Sequence, residues 1–353
     1  MNIFTLHNDS SRNARFEMRP WSDGREAWER LATPTNGATL YHDQRWLSLL
    51  QRTYGFEIAV ASIAAGAHPA AACLLARTRN PFSPRLIALP FSDTCPPLAA
   101  DPSALAELGC GLISRPMLRG GCEIRGVALP LPWRVVNCFG EWSVDLRQTA
   151  AQLHRRRAAH FRRQVRRAAD SGLSVRCGRS LEELHGFYGL MLQTRSRQGL
   201  PVQSLRFFKR VRELFSPGGD FEIWSVTQRG RLLASGIILR AFDCLHYKWS
   251  ARRIDSNGGA AHLLLHSVIE QHAGAAASLN LGRTDVRNFG LVRFKKEAGA
   301  EPTPLPYSFY PSAPKQVSAE VLSGTARLLS HAWRRLPLVA TRVLGSALYR
   351  YMA

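Results

Sequence analysis

Two neighbouring stretches carry the densest pattern in the chain: NLGRTD at residues 280–285 and NFGLVRFKKEAGA at residues 288–300. The first continues the apolar run Leu279–Leu281, which predicts a short strand that ends in polar residues. The second holds two adjacent lysines between glycines, and we expect it to form a loop. Only five of the 47 basic residues of the chain are lysines, so this pair stands out against an arginine-rich background.

The elements upstream of these stretches follow a recognisable order. Apolar periodicity predicts helices at Ala150–Asp170, Ser180–Arg195 and Ser204–Phe215, strands at Phe221–Gln228, Leu232–Phe242 and Cys244–Ser250, and a helix at Ala260–Ala273. Ser180 and Glu183 have the spacing of a capping box, which supports a helix start at that point. A last strand is predicted at Tyr307–Tyr310. The first half of the chain shows a looser version of the same alternation, with Trp46, Leu49 and Leu50 on one helical face.

Together these segments resemble a known enzyme family. The stretches at 280–300, the basic segment Arg162–Gly172, the segment Tyr188–Pro201 and the tetrapeptide Tyr247–Ser250 resemble the C-terminal signature of Fem-type acyltransferases and of the related BioF-like acetyltransferase branch of the GNAT superfamily. The resemblance implies an α+β fold with two GNAT-like mixed-sheet domains in tandem. The corresponding domains are predicted at 25–145 and 146–310, preceded by a segment at 1–24 and followed by a basic helical tail at 311–353.

The resemblance also implies a reaction class, the transfer of an acyl or aminoacyl group to an amine or hydroxyl. Fem-type enzymes use aminoacyl-tRNA as donor and a peptidoglycan precursor as acceptor, whereas the GNAT-like branch uses acyl-CoA. We therefore expect an anionic donor, acyl-CoA or aminoacyl-tRNA, and an acceptor of the glycan or peptidoglycan-precursor type. A narrower alternative is acetyl transfer from acetyl-CoA to an amino sugar. Neither a metal nor a tightly bound cofactor is expected.

The same resemblance assigns site residues. The lysine that follows Phe in the family's Phe-Lys motif matches Lys295, and a fixed positive charge there would stabilise a developing oxyanion. The predicted catalytic residues are Lys295 and Arg283; the predicted donor-binding residues are Lys296, Arg293, Asn257, Gly258 and Gly259; the predicted acceptor-binding residues are Tyr247, Trp249, Ser250 and Asn288. Glycines that open a helix can hold phosphate on backbone N–H groups, but a plain turn explains them as well.

Two departures from the family pattern limit which residue roles of the family can be assigned to this chain. Asn280 stands where the strand often has Asp, and an amide cannot act as a general base. Ala298 stands where an aromatic residue is common. His262 and His266 are four residues apart on one helical face, but without an HExxH motif they do not predict zinc. The sequence therefore leaves the general base unassigned.

The net charge of +21 favours an anionic partner and excludes an acidic, solvating protein. Seven arginines at positions 155, 156, 157, 162, 163, 166 and 167 lie within the predicted helix Ala150–Asp170. They suit the phosphates of tRNA or of a nucleotide-linked acceptor, or simply a solvated helix face. The competing hypothesis is a non-enzymatic protein that binds RNA or an anionic membrane through this helix and the tail; no DNA partner is expected.

The cysteines, the N-terminal residues and the tail predict where in the cell the protein is located. Seven cysteines without C-x-x-C spacing indicate reduced, buried thiols and a cytoplasmic protein. The first residues contain no apolar run of the signal-peptide type, and we predict no transmembrane helix. The apolar residues of the tail recur at helical spacing among arginines, which predicts either peripheral contact with the inner face of the membrane or packing against the domain.

Overall fold

The computed structural model describes residues 15–65, 68–78, 85–114, 120–255, 259–314, 317 and 324–352. These residues form two compact units. Unit 1 comprises the described residues of Met1–Phe139, Pro304–Val317 and Arg350–Ala353, and unit 2 those of Gly140–Thr303 and Ser318–Tyr349. Each unit is built on one mixed β-sheet with helices, which confirms the predicted α+β class with two mixed sheets and C-terminal helices.

Unit 1 contains a sheet whose strands are ordered β1-β2-β3-β4-β6-β15-β7, with β5 paired to β3. Numbered in chain order, its strands are β1 (Arg15–Pro20), β2 (Ile58–Ala65), β3 (His68–Arg77), β4 (Leu86–Ile87), β5 (Leu98–Ala99), β6 (Cys122–Arg125), β7 (Arg134–Val136) and β15 (Tyr307–Tyr310). Its helices are α1 (Trp21–Leu31), α2 (Gln44–Tyr54) and α3 (Pro102–Ile113). The sheet is mixed because β4 and β6 run parallel, whereas the other pairs are antiparallel.

Helix α2 shows why this part of the chain folds locally as it does. Asp43 caps its N-terminus by accepting a hydrogen bond from the Arg45 backbone N–H. Gly55 ends the helix in the left-handed region, at a φ of 66° that a glycine adopts without a Cβ clash. The predicted face of Trp46, Leu49 and Leu50 is fully buried in the core of unit 1.

Unit 2 contains a sheet whose strands are ordered β14-β8-β13-β12-β11-β10-β9. Its strands are β8 (Phe139–Asp145), β9 (Ser174–Gly178), β10 (Phe221–Gln228), β11 (Arg231–Ala241), β12 (Cys244–Arg252), β13 (Ser278–Asp285) and β14 (Glu301–Pro304). Its helices are α4 (Ala150–Arg156), α5 (Ala159–Asp170), α6 (Leu181–Gln198), α7 (Leu205–Phe215), α8 (Gly259–His272), α9 (Phe289–Glu297), α10 (Gly324–Arg335) and α11 (Leu338–Leu348). The predicted capping box of Ser180 and Glu183 is present at the start of α6.

Two local predictions in unit 2 are wrong. The single helix expected at Ala150–Asp170 is broken into α4 and α5, because Arg157 is extended and its side chain is buried. The loop expected around the two lysines is helix α9, which starts at Asn288 with its side-chain oxygen accepting a hydrogen bond from the Leu291 N–H. Strands β1, β5 and β14 lie outside the strands that the sequence predicted, and β8 shares only Phe139 with the strand predicted at Trp133–Phe139.

Neither unit is a single continuous segment of the chain. The strand Tyr307–Tyr310, inside the predicted domain 146–310, pairs with β6 and β7 in unit 1. The predicted segment 1–24 includes β1 and the start of α1, and its residues 1–14 lie outside the described residues. All seven cysteines are free thiols. Cys110 and Cys177 are exposed, so burial was wrongly predicted for these two.

The described part of the tail forms helices α10 and α11, which pack on α6 within unit 2. Small residues make the contact: Ser330 donates a hydrogen bond to the Gln198 carbonyl, and a Cβ on Gly345 would lie 2.8 Å from the Val202 carbonyl oxygen. Among the helices of the described residues, none combines the length and the hydrophobicity required to cross a membrane.

Candidate functional site

Unit 2 contains a cleft beside β12, a strand that pairs with β13 over only part of its length. Strands β12 and β13 pair only over Cys244–His246 and Ser278–Asn280, and beyond these residues the described strands are not paired with each other. A cavity of about 440 Å³ lies beside the later part of β12. Residues from α6, β11, β12, α8 and α9 line it: Thr194, Gln198, Ala234, Tyr247, Ser250, Ala251, Arg252, Ala261, His262, Gly290, Leu291 and Phe294.

A β-bulge decides which residues of β12 face this cleft. Ile237 pairs with Trp249 and Ile238 pairs with Tyr247, so Lys248 is the extra residue of the bulge. Because cross-strand partners share a face, Tyr247 and Trp249 point to opposite sides of the sheet. Tyr247 lines the cleft, whereas Trp249 is buried with its ring 5.3 Å from the Phe208 ring. The structure brings Tyr247 and Ser250 into the cleft but not Trp249.

Tyr247 occupies the space that a glycine leaves open. A Cβ on Gly236 of β11 would lie 2.6 Å from the Tyr247 ring, so any larger residue would displace that ring. Burial raises the pKa of Tyr247, and its contact with Ser250 opposes the shift only in part. The tyrosine is therefore a protonated hydroxyl at neutral pH, able to donate a hydrogen bond into the cleft.

His262, in the first turns of α8, lines the cleft, and the sequence did not connect it with the reaction. Its ring lies 5.0 Å from the ring of Phe161 and 5.1 Å from that of Phe294. One ligand atom from each of His160, His262 and Glu297 lies within 4.8 Å of the other two. No sequence signal could have related His160 and Glu297 to His262, because packing of α5 and α9 against α8 brings them together.

Glu297 is already engaged in this histidine cluster. Its Oε2 lies 2.8 Å from His160 Nδ1, and its Oε1 accepts a hydrogen bond of 2.7 Å from Arg293 Nε. Burial alone would raise the pKa of Glu297, but the hydrogen bonds from Arg293 and His160 outweigh burial and lower it. The carboxylate is charged and orients His160. The same three residues have the donor types that a divalent metal accepts, although the sequence predicted no metal site.

Lys295, the predicted catalytic residue, is buried at 5% exposure on α9. Its Nζ donates a 2.8 Å hydrogen bond to the carbonyl oxygen of Gly282, a residue of β13 with a φ of 76°. Asn280 Oδ1 accepts from the Gly282 N–H, so both sides of this glycine are held by side chains. Only glycine adopts this conformation without steric cost, which explains the glycine in the motif. The amide of Asn280 thus supports the kink in β13.

The other predicted residues lie at several places in unit 2. Arg283 is half-buried on β13, and Lys296 and Arg293 are exposed on α9. Asn288 caps α9. Gly259 permits close packing, since a Cβ there would lie 2.9 Å from the Ala168 Cβ. Asn257 and Gly258 lie outside the described residues.

Comparison with known proteins agrees with this architecture. Residues 155–289, all within unit 2, match the acetyltransferase (GNAT) domain family. No curated protein matches the chain. The solved structure of FemX is similar with a TM-score of 0.62 and 12% identity, covering 81% of this chain and 95% of FemX.

Two further solved structures share the fold. The C-terminal domain of a putative lysylphosphatidylglycerol synthetase from Agrobacterium fabrum gives a TM-score of 0.51 at 13% identity, covering 82% of this chain and 93% of that domain. A tandem GNAT protein from the clavulanic acid biosynthesis pathway gives 0.51 at 10% identity, covering 85% of this chain and all of that one. The predicted tandem GNAT-like fold is thereby confirmed. Residues 155–289 of unit 2 are thus an acetyltransferase domain of the GNAT type, and the chain shares the fold of FemX and of the tandem GNAT protein.

Proposed function

We propose that this acyltransferase moves an acyl or aminoacyl group from acyl-CoA or aminoacyl-tRNA to an amine or hydroxyl of a cell-envelope or exopolysaccharide precursor. The observation that carries the proposal is the cleft beside the later part of β12. It presents the hydroxyls of Tyr247 and Ser250 on one wall and the imidazole of His262 on another. These are the groups that acyl transfer requires: a proton acceptor for the nucleophile and hydrogen-bond donors for developing negative charge.

The proposed reaction assigns a role to each of these groups. The acceptor nitrogen or oxygen attacks the donor carbonyl carbon, and His262 accepts the proton that the nucleophile loses. The bond from the carbonyl carbon to the donor's sulfur or ribose oxygen breaks, and Tyr247 gives its proton to that leaving atom. His262 then releases its proton to water, and Tyr247 regains one from water. The Glu297 carboxylate, which contacts His160, has an oxygen within 4.8 Å of a His262 ring nitrogen and favours the protonated form of that imidazole electrostatically. Lys295 acts by fixing the kink at Gly282, which positions β13.

The choice of acceptor class rests on fold likeness and on charge. FemX and the lysylphosphatidylglycerol synthetase domain share the fold of this chain. The net charge of +21 suits an anionic donor and a phosphate-bearing acceptor. Both observations support an envelope precursor over a neutral metabolite.

The test is an acyl-transfer assay with separate donor arms. The full chain is incubated with acetyl-CoA, with longer acyl-CoAs or with aminoacyl-tRNA, each with an amino-sugar or muropeptide acceptor, and products are identified by mass spectrometry. Transfer from one donor class identifies the donor. Tyr247→Phe should lower kcat by at least about ten-fold. The control Tyr188→Phe removes the hydroxyl of a tyrosine buried against Phe208 and should leave kcat within about two-fold. Absence of transfer with every pair contradicts the proposal.

We also propose that the tail brings the enzyme to an anionic membrane surface. The side chains of Leu328, Leu329, Val339 and Val343 are 59–73% exposed, although α10 and α11 pack on α6 through other residues. Arg334, Arg335 and Arg342 belong to the same two helices. Exposed apolar residues among arginines suit insertion at the headgroup level of anionic lipid.

Vesicle sedimentation tests this attachment. The full chain should sediment with phosphatidylglycerol-containing vesicles more than with pure phosphatidylcholine vesicles. The double variant Leu328→Glu with Val343→Glu should lose this binding. Leu131→Glu, which alters a leucine of unit 1 that is 82% exposed, should retain it. Undiminished binding by the double variant would exclude the tail as the anchor.

A further inference from the structure

A second cavity lies at the break between α4 and α5. Its volume is about 240 Å³, and six of its lining residues matter here: His154, Arg157, Phe161, Arg162, Arg166 and His266. Phe161 lines this cavity and also packs against His262 of the cleft. The two cavities are therefore neighbours separated by an aromatic ring, and His266 lies one helical turn beyond His262 on α8.

Arg157 is the residue that makes this cavity unusual. It is 2% exposed and extended, with φ −72° and ψ 141°, which is why the helix breaks here. Its Nη1 donates a 2.8 Å hydrogen bond to Glu270 Oε1 and also contacts His266 Nδ1. Its Nε and Nη2 find no hydrogen-bond partner among the described residues. A buried guanidinium with two nitrogens that lack a hydrogen-bond acceptor is unfavourable unless a further acceptor serves it.

The surroundings of Arg157 carry surplus positive charge. Arg162 and Arg166 line the same cavity, and Arg162 Nη1 is fixed by a hydrogen bond to the Arg157 carbonyl. Glu270 is the carboxylate that faces Arg157. Burial and the neighbouring Arg157 charge lower the pKa of His266. The imidazole is therefore uncharged at neutral pH and can accept a hydrogen bond from the guanidinium N–H. Three guanidinium groups against one carboxylate suit a dianion.

We propose that this cavity binds the phosphate or pyrophosphate group of a small phosphate ester, with Arg157 as the buried anchor. Guanidinium groups form paired, charge-assisted hydrogen bonds to phosphate oxygens, and the apolar wall of Phe161 removes competing water. The volume admits a phosphate or pyrophosphate group but not a folded nucleic acid. The site does not depend on acyl transfer in the cleft, so a test of phosphate binding is independent of a test of the proposed reaction.

Titration calorimetry of the full chain with inorganic pyrophosphate, at fixed ionic strength, tests the proposal. The variants Arg157→Lys, which keeps a charge for Glu270 but lacks the guanidinium fork, and Arg166→Gln should each weaken binding by about ten-fold. Arg163→Gln is the matched control. It removes the same charge from an exposed residue of the same helix that is not among those lining the cavity, and its Kd should stay within about two-fold.

Thermal unfolding of every variant separates loss of the site from loss of the fold. A folded Arg166→Gln protein with unchanged affinity for pyrophosphate would overturn the proposal, as would absence of binding by the wild type. Equal weakening by Arg163→Gln would show diffuse attraction rather than a site. A single-stranded RNA oligonucleotide provides the last arm: if it displaces pyrophosphate and its affinity falls steeply with salt, the cavity is part of an RNA-binding surface and the small-ester assignment is wrong.

Discussion

Two histidines in different units of the chain have similar ring neighbours and different chemistry. His42 in unit 1 stacks on Trp28 with ring centroids 5.5 Å apart, and His262 in unit 2 packs between Phe161 and Phe294 at similar distances. His42 is buried, and both ring nitrogens are used: Nδ1 accepts from the Thr39 N–H, and Nε2 donates to the Pro96 carbonyl. His262 is only half-buried and lines a cleft.

The difference teaches what aromatic packing does to a histidine. Rings around an imidazole exclude water in both places, but the backbone bonds of His42 fix one neutral tautomer. His262 instead faces a cavity and lies near His160 and the Glu297 carboxylate. The first arrangement stabilises a fold, and the second leaves an imidazole available to accept a proton. The variants of His262 and His42 are each expected to change one readout, activity or stability, and to leave the other in place.

The largest expected effect is on turnover. His262→Gln should lower kcat by about a hundred-fold or more, because general-base assistance contributes on the order of 10²–10⁴-fold. The free energy of unfolding should change little, since the glutamine amide retains a polar group of similar size at the cleft. Steady-state kinetics with the donor identified above, together with thermal unfolding, provides the measurement.

His185→Gln is the control for this variant, since His185 is an exposed histidine on a helix of the same unit. It should leave kcat within about two-fold. If His262→Gln kept full turnover, the proton acceptor would have to be sought elsewhere. If activity disappeared on treatment with a chelator and returned with zinc, His160, His262 and Glu297 would be holding a metal.

The next effect concerns stability and pH. Burial lowers the pKa of His42 from 6.5 to about 4, and its backbone hydrogen bonds oppose that shift only in part. His42 therefore binds a proton at a higher pH in the unfolded chain than in the folded chain. As the pH falls below 6.5, this protonation stabilises the unfolded state and lowers the free energy of unfolding. Between pH 7 and pH 5 the free energy of unfolding should fall by about 2 kcal/mol from this group alone.

Urea unfolding of the wild type and of His42→Gln at both pH values measures this contribution. The variant should be less stable than the wild type at pH 7, and its stability should depend less on pH by the amount stated. Its turnover per folded molecule should be unchanged, in contrast to that of His262→Gln. An equal pH dependence in both proteins would show that other groups control the acid response.

The sequence predicted the fold far better than the site. Hydrophobic periodicity predicted the strands Phe221–Gln228 and Tyr307–Tyr310 with their observed bounds, because this pattern is a property of the local sequence. It failed for α4 and α5, where the buried guanidinium of Arg157 overrides a continuous helical pattern. That override depends on Glu270 and His266, which are more than a hundred residues away in the chain.

The site was harder for the same reason. Tyr247 and Ser250, which the sequence predicted to bind the acceptor, line the cleft, but a bulge at Lys248 turns Trp249 to the opposite face. Bulges follow from strand pairing, which local sequence does not specify. His262 was considered only with His266, its neighbour at helical spacing, whereas its relevant partners come from other helices. Tertiary packing, not residue type, separates His262 from His42.

The smallest effect distinguishes a positioning lysine from a catalytic one. Lys295→Met removes the charged donor that holds the Gly282 carbonyl, and we expect the free energy of unfolding to fall by about 1.5 kcal/mol. Turnover should fall by less than about ten-fold, because β13 shifts while the groups of the cleft remain. Lys296→Met alters the adjacent, exposed lysine and should change stability by no more than about 0.5 kcal/mol. A hundred-fold loss of turnover in Lys295→Met at unchanged stability would instead place the ammonium group at the reacting carbonyl. His262 would then accept the proton while Lys295 stabilises the oxyanion. In that case the kink at Gly282 would position Lys295, in addition to being stabilised by it.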